Sequence, residues 1–177
     1  MHKIFALCLL ILPALPAAAA ELPAAACSLL QTCRLVGEGQ LRWWGFHVYD
    51  AALWSPTGRW QQRSPYALDI RYARRVTGTQ LAETSIDELR RLGIGDEAAL
   101  ARWGAAMKRL FPDVAPGSRL IGVHAPQRGA LFYSATTYLG AIEEPEFARG
   151  FFAIWLDPRT QTPDLRTALL GHNARPE

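Results

Sequence analysis

The chain opens with an unpatterned apolar run and acquires periodicity only later. From Ile4 to Ala20 every residue is apolar, Pro13 and Pro16 interrupt the run, and Met1-His2-Lys3 precedes it. Ala18-Ala19-Ala20 then supplies small residues before Glu21. This is the layout of an export leader, and the run is too short and too proline-broken for a good spanning helix. Residues 1–20 are therefore expected to act as a signal peptide, which places the mature protein in the periplasm or outside the cell. A 21–34 N-terminal segment, one domain over 35–171 and a 172–177 tail follow. A second run, Ala24-Ala25-Ala26 before Cys27, leaves the cleavage position and lipidation of Cys27 open.

Past the leader, period-two alternation dominates. Leu35, Gly37, Gly39, Leu41 and Trp43 fall on one side of a strand, with Glu38, Gln40 and Arg42 on the other. Gly45 marks a turn, and 46–54 is apolar on both sides, as an interior strand would be. Tyr66, Leu68, Ile70 and Tyr72 alternate with Asp69, Arg71 and Ala73 in a third strand. The period then changes: Leu81, Ile86, Leu89 and Leu92 predict a helix stopped by Gly93. Asp96 caps a second helix carrying Leu100, Trp103, Met107, Leu110 and Phe111 as an apolar stripe. Two strands near 118–125 and 130–138 meet at Pro126-Gln127-Arg128-Gly129, a buried helix runs from Pro145 to Leu156, and Thr162-Pro163 opens a short helix ended by Gly171. Short turns between strands favour an antiparallel sheet with helices on one face, an α+β domain.

Composition narrows the function classes. The 177 residues are half apolar and carry a net charge of +3, which fits one globular domain with a sizeable core. No basic run exceeds two adjacent residues, so no nucleic-acid partner is expected. No apolar segment after the leader is long enough to hold the mature chain in a bilayer. Cys27 and Cys33, six apart in an exported chain, read as a disulfide stapling the N-terminal segment. His47, His124 and His172 lack metal-ligand spacing, and no G-x-S-x-G elbow is present. No metal, cofactor or catalytic residue is therefore assigned. Gly37-Glu38-Gly39 lies inside a strand and reads as close backbone packing rather than nucleotide binding. The six tryptophans either pack the core or line an apolar pocket between sheet and helices.

The stretch Leu139-Gly140-Ala141-Ile142, Pro145-Glu146-Phe147-Ala148, Phe152-Ala153-Ile154-Trp155-Leu156 and Leu165-Arg166-Thr167-Ala168-Leu169-Leu170-Gly171 resembles the closing block of chalcone isomerase-like proteins. Gly37-Glu38-Gly39 with Val48-Tyr49-Asp50-Ala51-Ala52-Leu53-Trp54 is similar to the family's first hairpin, and Thr77-Gly78-Thr79-Gln80 to its T-G-x-Q segment. The resemblance spans Leu35 to Gly171 and is nearest to the exported bacterial branch. It implies an open-faced sandwich, an antiparallel sheet under a layer of helices with a ligand cleft between them.

Plant-type members close a flavanone ring without cofactor, using an arginine, a threonine, a tyrosine and an asparagine. On this chain those positions fall on Leu41, Tyr49, Leu81 and Glu88, so the ring-closing set is absent. The nearest arginine, Arg42, is one residue late, and strand parity turns it to the opposite face beside Glu38 and Gln40. A second branch resembles fatty-acid-binding proteins, which hold a carboxylate with an arginine and a tyrosine. Arg42, Tyr49 and Arg71 are the candidates here, with Arg74 in reserve. The expected role is binding a small apolar or amphipathic molecule such as a fatty acid. The alternatives are a cofactor-free isomerase of the intramolecular-lyase type using Tyr49 as acid/base, and a partner-binding protein with a filled core.

Overall fold

Alternation and short turns produce a six-stranded sheet in strict meander order: β1 (Arg34–Trp43), β2 (Phe46–Ser55), β3 (Tyr66–Tyr72), β4 (Arg119–Ala125), β5 (Gly129–Tyr133) and β6 (Tyr138–Ile142). Every neighbouring pair is antiparallel. The computed structural model describes residues 21–171; the expected leader (1–20) and the tail (172–177) lie outside the described residues. Five helices accompany the sheet: α1 (Ala24–Leu30), α2 (Gly78–Leu92), α3 (Glu97–Leu110), α4 (Pro145–Leu156) and α5 (Pro163–Leu170). The predicted α+β class holds.

Two elements differ from expectation. β6 was not predicted because its turn, closed by the Ser134 N–H donating to the Thr137 carbonyl at 2.8 Å, contains neither glycine nor proline. α1 was not predicted either, since it starts after Pro23 without a side-chain cap. The Ala24-Ala25-Ala26 run read as a processing site lies inside it. Residues 21–34 pack onto the domain rather than standing apart from it. Leu22, Ala26 and Leu30 cover Trp54, Ala67, Val123 and Leu131 on the sheet face away from α2–α5. A disulfide joins Cys27 to Cys33, just before β1. On the same face Arg119 donates from Nε to the buried Asp69 carboxylate at 3.1 Å and from Nη2 to the Glu21 carbonyl at 2.9 Å.

The main core lies on the other face. Leu53, Leu68, Ile70 and Phe132 project from the sheet against Leu89, Trp103, Met107, Phe147, Phe152 and Leu169 of the helices. Phe132 meets Phe111 edge-on at 5.0 Å and Phe151 at 5.2 Å, the offset geometry that aromatic quadrupoles favour. α2 is fixed at its start by a Thr77/Gln80 capping box and α3 by the Asp96 carboxylate.

Gly37 and Gly39 explain how α5 reaches β1. A Cβ on Gly37 would lie 2.2 Å from the Ala168 carbonyl oxygen, and one on Gly39 would lie 2.8 Å from the Ala168 Cβ. The paired glycines are a helix-docking site, as their place inside a strand suggested. β1 also departs from simple alternation. Pairing shifts between Leu35/Trp54 and Gly37/Leu53, leaving Val36 as an extra residue. Leu35 therefore points away from the helices and is exposed, while Val36 packs into the main core.

Two outcomes test this packing. Gly37→Ala must push α5 off the sheet and is expected to cost roughly 2–3 kcal/mol, lowering the melting temperature by several degrees in calorimetry. Gly104→Ala, which meets only the Ile86 side chain at 3.3 Å inside α3, is expected to change stability by no more than about 1 kcal/mol, in the stabilising direction. Burial raises the Tyr66 and Tyr72 phenols above their ordinary value of 10.0. A raised folded-state pKa leaves their contribution intact below about pH 10 and removes it as pH climbs further. Thermal stability is expected to hold up to about pH 10 and fall above it, and Tyr72→Phe to reduce the slope of that fall.

Candidate ligand site

The hairpin β1–β2 controls which side chains face the helices. Leu41 is the cross-strand partner of Tyr49, and Tyr49 in turn is the partner of Tyr72 on β3. All three side chains lie on the helix side, packed in or against the main core. Tyr72 meets the Tyr49 ring edge-on at 6.0 Å. From α4, the Trp155 indole N–H donates to the Tyr49 hydroxyl at 2.8 Å. From α2, Glu88 lies near enough for its charge to act on Tyr49. Glu88 is itself held by Arg91 at 2.7 Å and by the Gln161 amide.

Desolvation dominates the electrostatics. Burial pushes the Tyr49 phenol up to about 12; the Trp155 hydrogen bond works against the rise, and Glu88 adds to it. The hydroxyl is therefore neutral at physiological pH. Its oxygen accepts from Trp155, while its own O–H has no acceptor among the described residues. An accepted hydrogen bond polarises a hydroxyl and strengthens it as a donor. The arrangement can offer one neutral donor to a ligand oxygen beside the Trp155 and Tyr72 rings, with the Glu88 carboxylate on the α2 side.

The candidate arginines are not brought to this phenol. Arg42 is exposed and its Nη2 donates to Gln40 Oε1 at 3.4 Å, on the face opposite Leu41. A bulge does sit at this point, since pairing moves from Leu41/Tyr49 to Arg42/His47. The extra residue is Val48, on β2, so the parity of β1 is unaltered and Arg42 stays outside. The bulge instead turns His47 to the outer face, where its Nε2 meets Asp50 Oδ1 at 2.9 Å. Arg71, cross-strand from Asp50 and Arg119, is exposed on that same outer face. Arg74 donates from Nε to the His47 carbonyl at 3.1 Å and stacks over Phe46 at 4.7 Å. Tyr49 is thus the one member of the proposed trio that faces the helices. Its partner Trp155, 106 residues away, was missed as a site residue; its place on a buried helix was the only signal for it.

Other candidates resolve into structure. Glu144, at the start of α4, accepts from Arg102 at 2.7 Å and from the Trp103 indole at 3.0 Å, which holds its carboxyl below the usual range. Arg159 does the same for Asp157. His124 is buried, stacks on Tyr66 at 4.6 Å and bonds the Ser64 carbonyl. The tryptophans divide: Trp54, Trp103 and Trp155 are buried, Trp60 is partly so, and Trp43 and Trp44 stand in solvent. Open grooves of about 600 Å³ between α2 and α3, and about 610 Å³ beside α5 and β1, flank the domain; Tyr49 lines neither. Among the described residues no cluster of His, Cys, Asp and Glu suits a metal ion, and no helix is long and apolar enough to cross a membrane.

Comparison with known proteins places this architecture. An uncharacterized protein of Haemophilus influenzae is 32% identical over 137 residues, covering 77% of this chain and 67% of the relative. A crystal structure of a fatty-acid binding protein from Arabidopsis thaliana superposes with a TM-score of 0.60, over 78% of this chain and 86% of that one, at 11% identity, a likeness of fold. The family model described as chalcone isomerase-like matches residues 17–171, and the chain belongs to the chalcone isomerase-like family.

Proposed function

We propose that this protein is a non-catalytic member of its family that binds a small apolar or amphipathic molecule, such as a fatty acid, outside the cytoplasm. The observation that carries the reading is the pairing of Leu41 with Tyr49 on the helix side while Arg42 lies on the other. Ring closure needs a group that steers an anionic nucleophile and donors aimed at developing enolate charge. Here an aliphatic side chain occupies the position of the first, and a half-buried, neutral phenol supplies a single donor. Such a wall suits a ligand that is apolar along its length and carries one oxygen acceptor. The Arabidopsis neighbour, named a fatty-acid binding protein, supports the ligand class. The leader pattern at residues 1–20 supports export, and a disulfide between Cys27 and Cys33 is in keeping with it.

The filled aromatic core favours one other reading, a partner-binding protein without a ligand. Mass spectrometry of lipid copurifying with the protein separates the two. A stoichiometric acyl chain is expected; a clean protein that also fails to bind a fluorescent fatty acid would establish the ligand-free reading. Tyr49→Phe is expected to weaken fatty-acid binding roughly fivefold to tenfold, the equivalent of one hydrogen bond. Chalcone turnover by the wild-type chain that disappears in Tyr49→Phe would instead restore the isomerase.

A further inference from the structure

The tip of the β1–β2 hairpin has a composition that the interior site does not explain. Trp43, Trp44 and Phe46 are 59%, 85% and 60% exposed. Trp44 and Gly45 both adopt positive φ, 50° and 79°, the backbone of a tight two-residue turn, and nothing lies within 4 Å of where a Gly45 Cβ would project. A non-glycine residue at positive φ is costly, so an indole held there in solvent has no folding rationale. The tip is a protruding aromatic knuckle and not a patch of core left uncovered.

Its surroundings are cationic. Arg42 precedes Trp43 on β1, and Arg74 stacks on Phe46. Arg75 follows three residues beyond β3, and Arg71 lies on the outer face at the same end of the sheet. Three of the four lie within residues 71–75, and the pairing of β2 with both neighbours brings Arg42 of β1 to the same end of the sheet. None takes part in the ion pairs among the described residues. The nearby Asp50 is engaged by His47.

We propose that this knuckle docks the protein peripherally on an anionic lipid surface. Indole rings prefer the boundary between headgroups and acyl chains, and guanidinium groups bind lipid phosphates while their stems lie along the rings. A convex tip enters a bilayer surface readily, whereas a protein partner would need a matching pocket. The surface uses no residue of the Tyr49 site and stands whether or not that site holds a ligand. It adds to the expectation of no stable insertion an adsorbed state: the tip touches the membrane without crossing it.

Tryptophan quenching by vesicles with brominated acyl chains reads mainly the tip, because Trp54, Trp103 and Trp155 are buried and Trp60 is partly buried with its indole nitrogen enclosed. With the full chain, quenching is expected in equal mixtures of phosphatidylglycerol and phosphatidylcholine and is expected to be weak in phosphatidylcholine alone. The Trp43→Ser, Trp44→Ser double variant, which removes only exposed rings, should lose the quenching while keeping its circular dichroism. Arg42→Gln and Arg74→Gln should each raise the lipid concentration for half-maximal quenching roughly fivefold. Equal quenching by neutral and anionic vesicles, or quenching that survives in the double variant, overturns the proposal. So does a dimer that dissociates in the double variant without any lipid quenching, which would assign the knuckle to a protein contact.

Discussion

Side-chain parity along β1 is the constraint on which both surfaces of this protein depend. A strand has two faces and no intermediate setting, so each residue of the first hairpin is committed either to the helices or to the outside. Gly37, Gly39 and Leu41 are committed inward: the glycines admit α5 and Leu41 meets Tyr49. Gln40 and Arg42 are committed outward. An arginine at 41 in place of 42 would present a guanidinium to the phenol; at 42 the same side chain belongs to the cationic outer face. One position in the chain separates an anion-steering interior from an apolar one.

The two bulges show how local irregularity is used without disturbing that commitment. Val36 on β1 resets the strand before the glycines, sending Leu35 outward and itself inward. Val48 on β2 lets His47 share a face with Asp50, three residues on, which straight alternation would forbid. Because Val48 belongs to the partner strand, Tyr49 keeps its place opposite Leu41. Beside the same bulge, the His47 carbonyl accepts from Arg74. Interior phenol and exterior cations are thus set by adjacent residues of one ribbon.

Much of this was legible in the sequence and some was not, for identifiable reasons. The period-two stripe Tyr66, Leu68, Ile70 and Tyr72 and the caps at Asp96 and Gly93 carry their own signals, and these elements appear where the pattern put them. The outward position of Arg42 follows from parity alone. α1 was hidden because its alanines also suit a processing site, and β6 because its turn uses hydroxyls where glycine or proline would announce it. Arg71 was grouped with Tyr49 by residue type, yet it is one residue out of phase with Tyr72, the strand's inward neighbour of Tyr49. The Trp155 to Tyr49 bond joins distant segments, and no local pattern encodes it.

The meeting of α5 with β1 has a consequence for how the chain reaches its final form. Every strand pairs with the next in sequence, so the sheet can assemble strand by strand as each one becomes available. The glycine stripe of β1 is different: its complement is the last helix of the described chain, on the far side of every other element. Until residues 163–170 arrive, the first strand made remains the last one covered. Completion of the fold is thereby coupled to the arrival of α5, and a chain lacking residues 163–170 would leave the inner face of β1 uncovered.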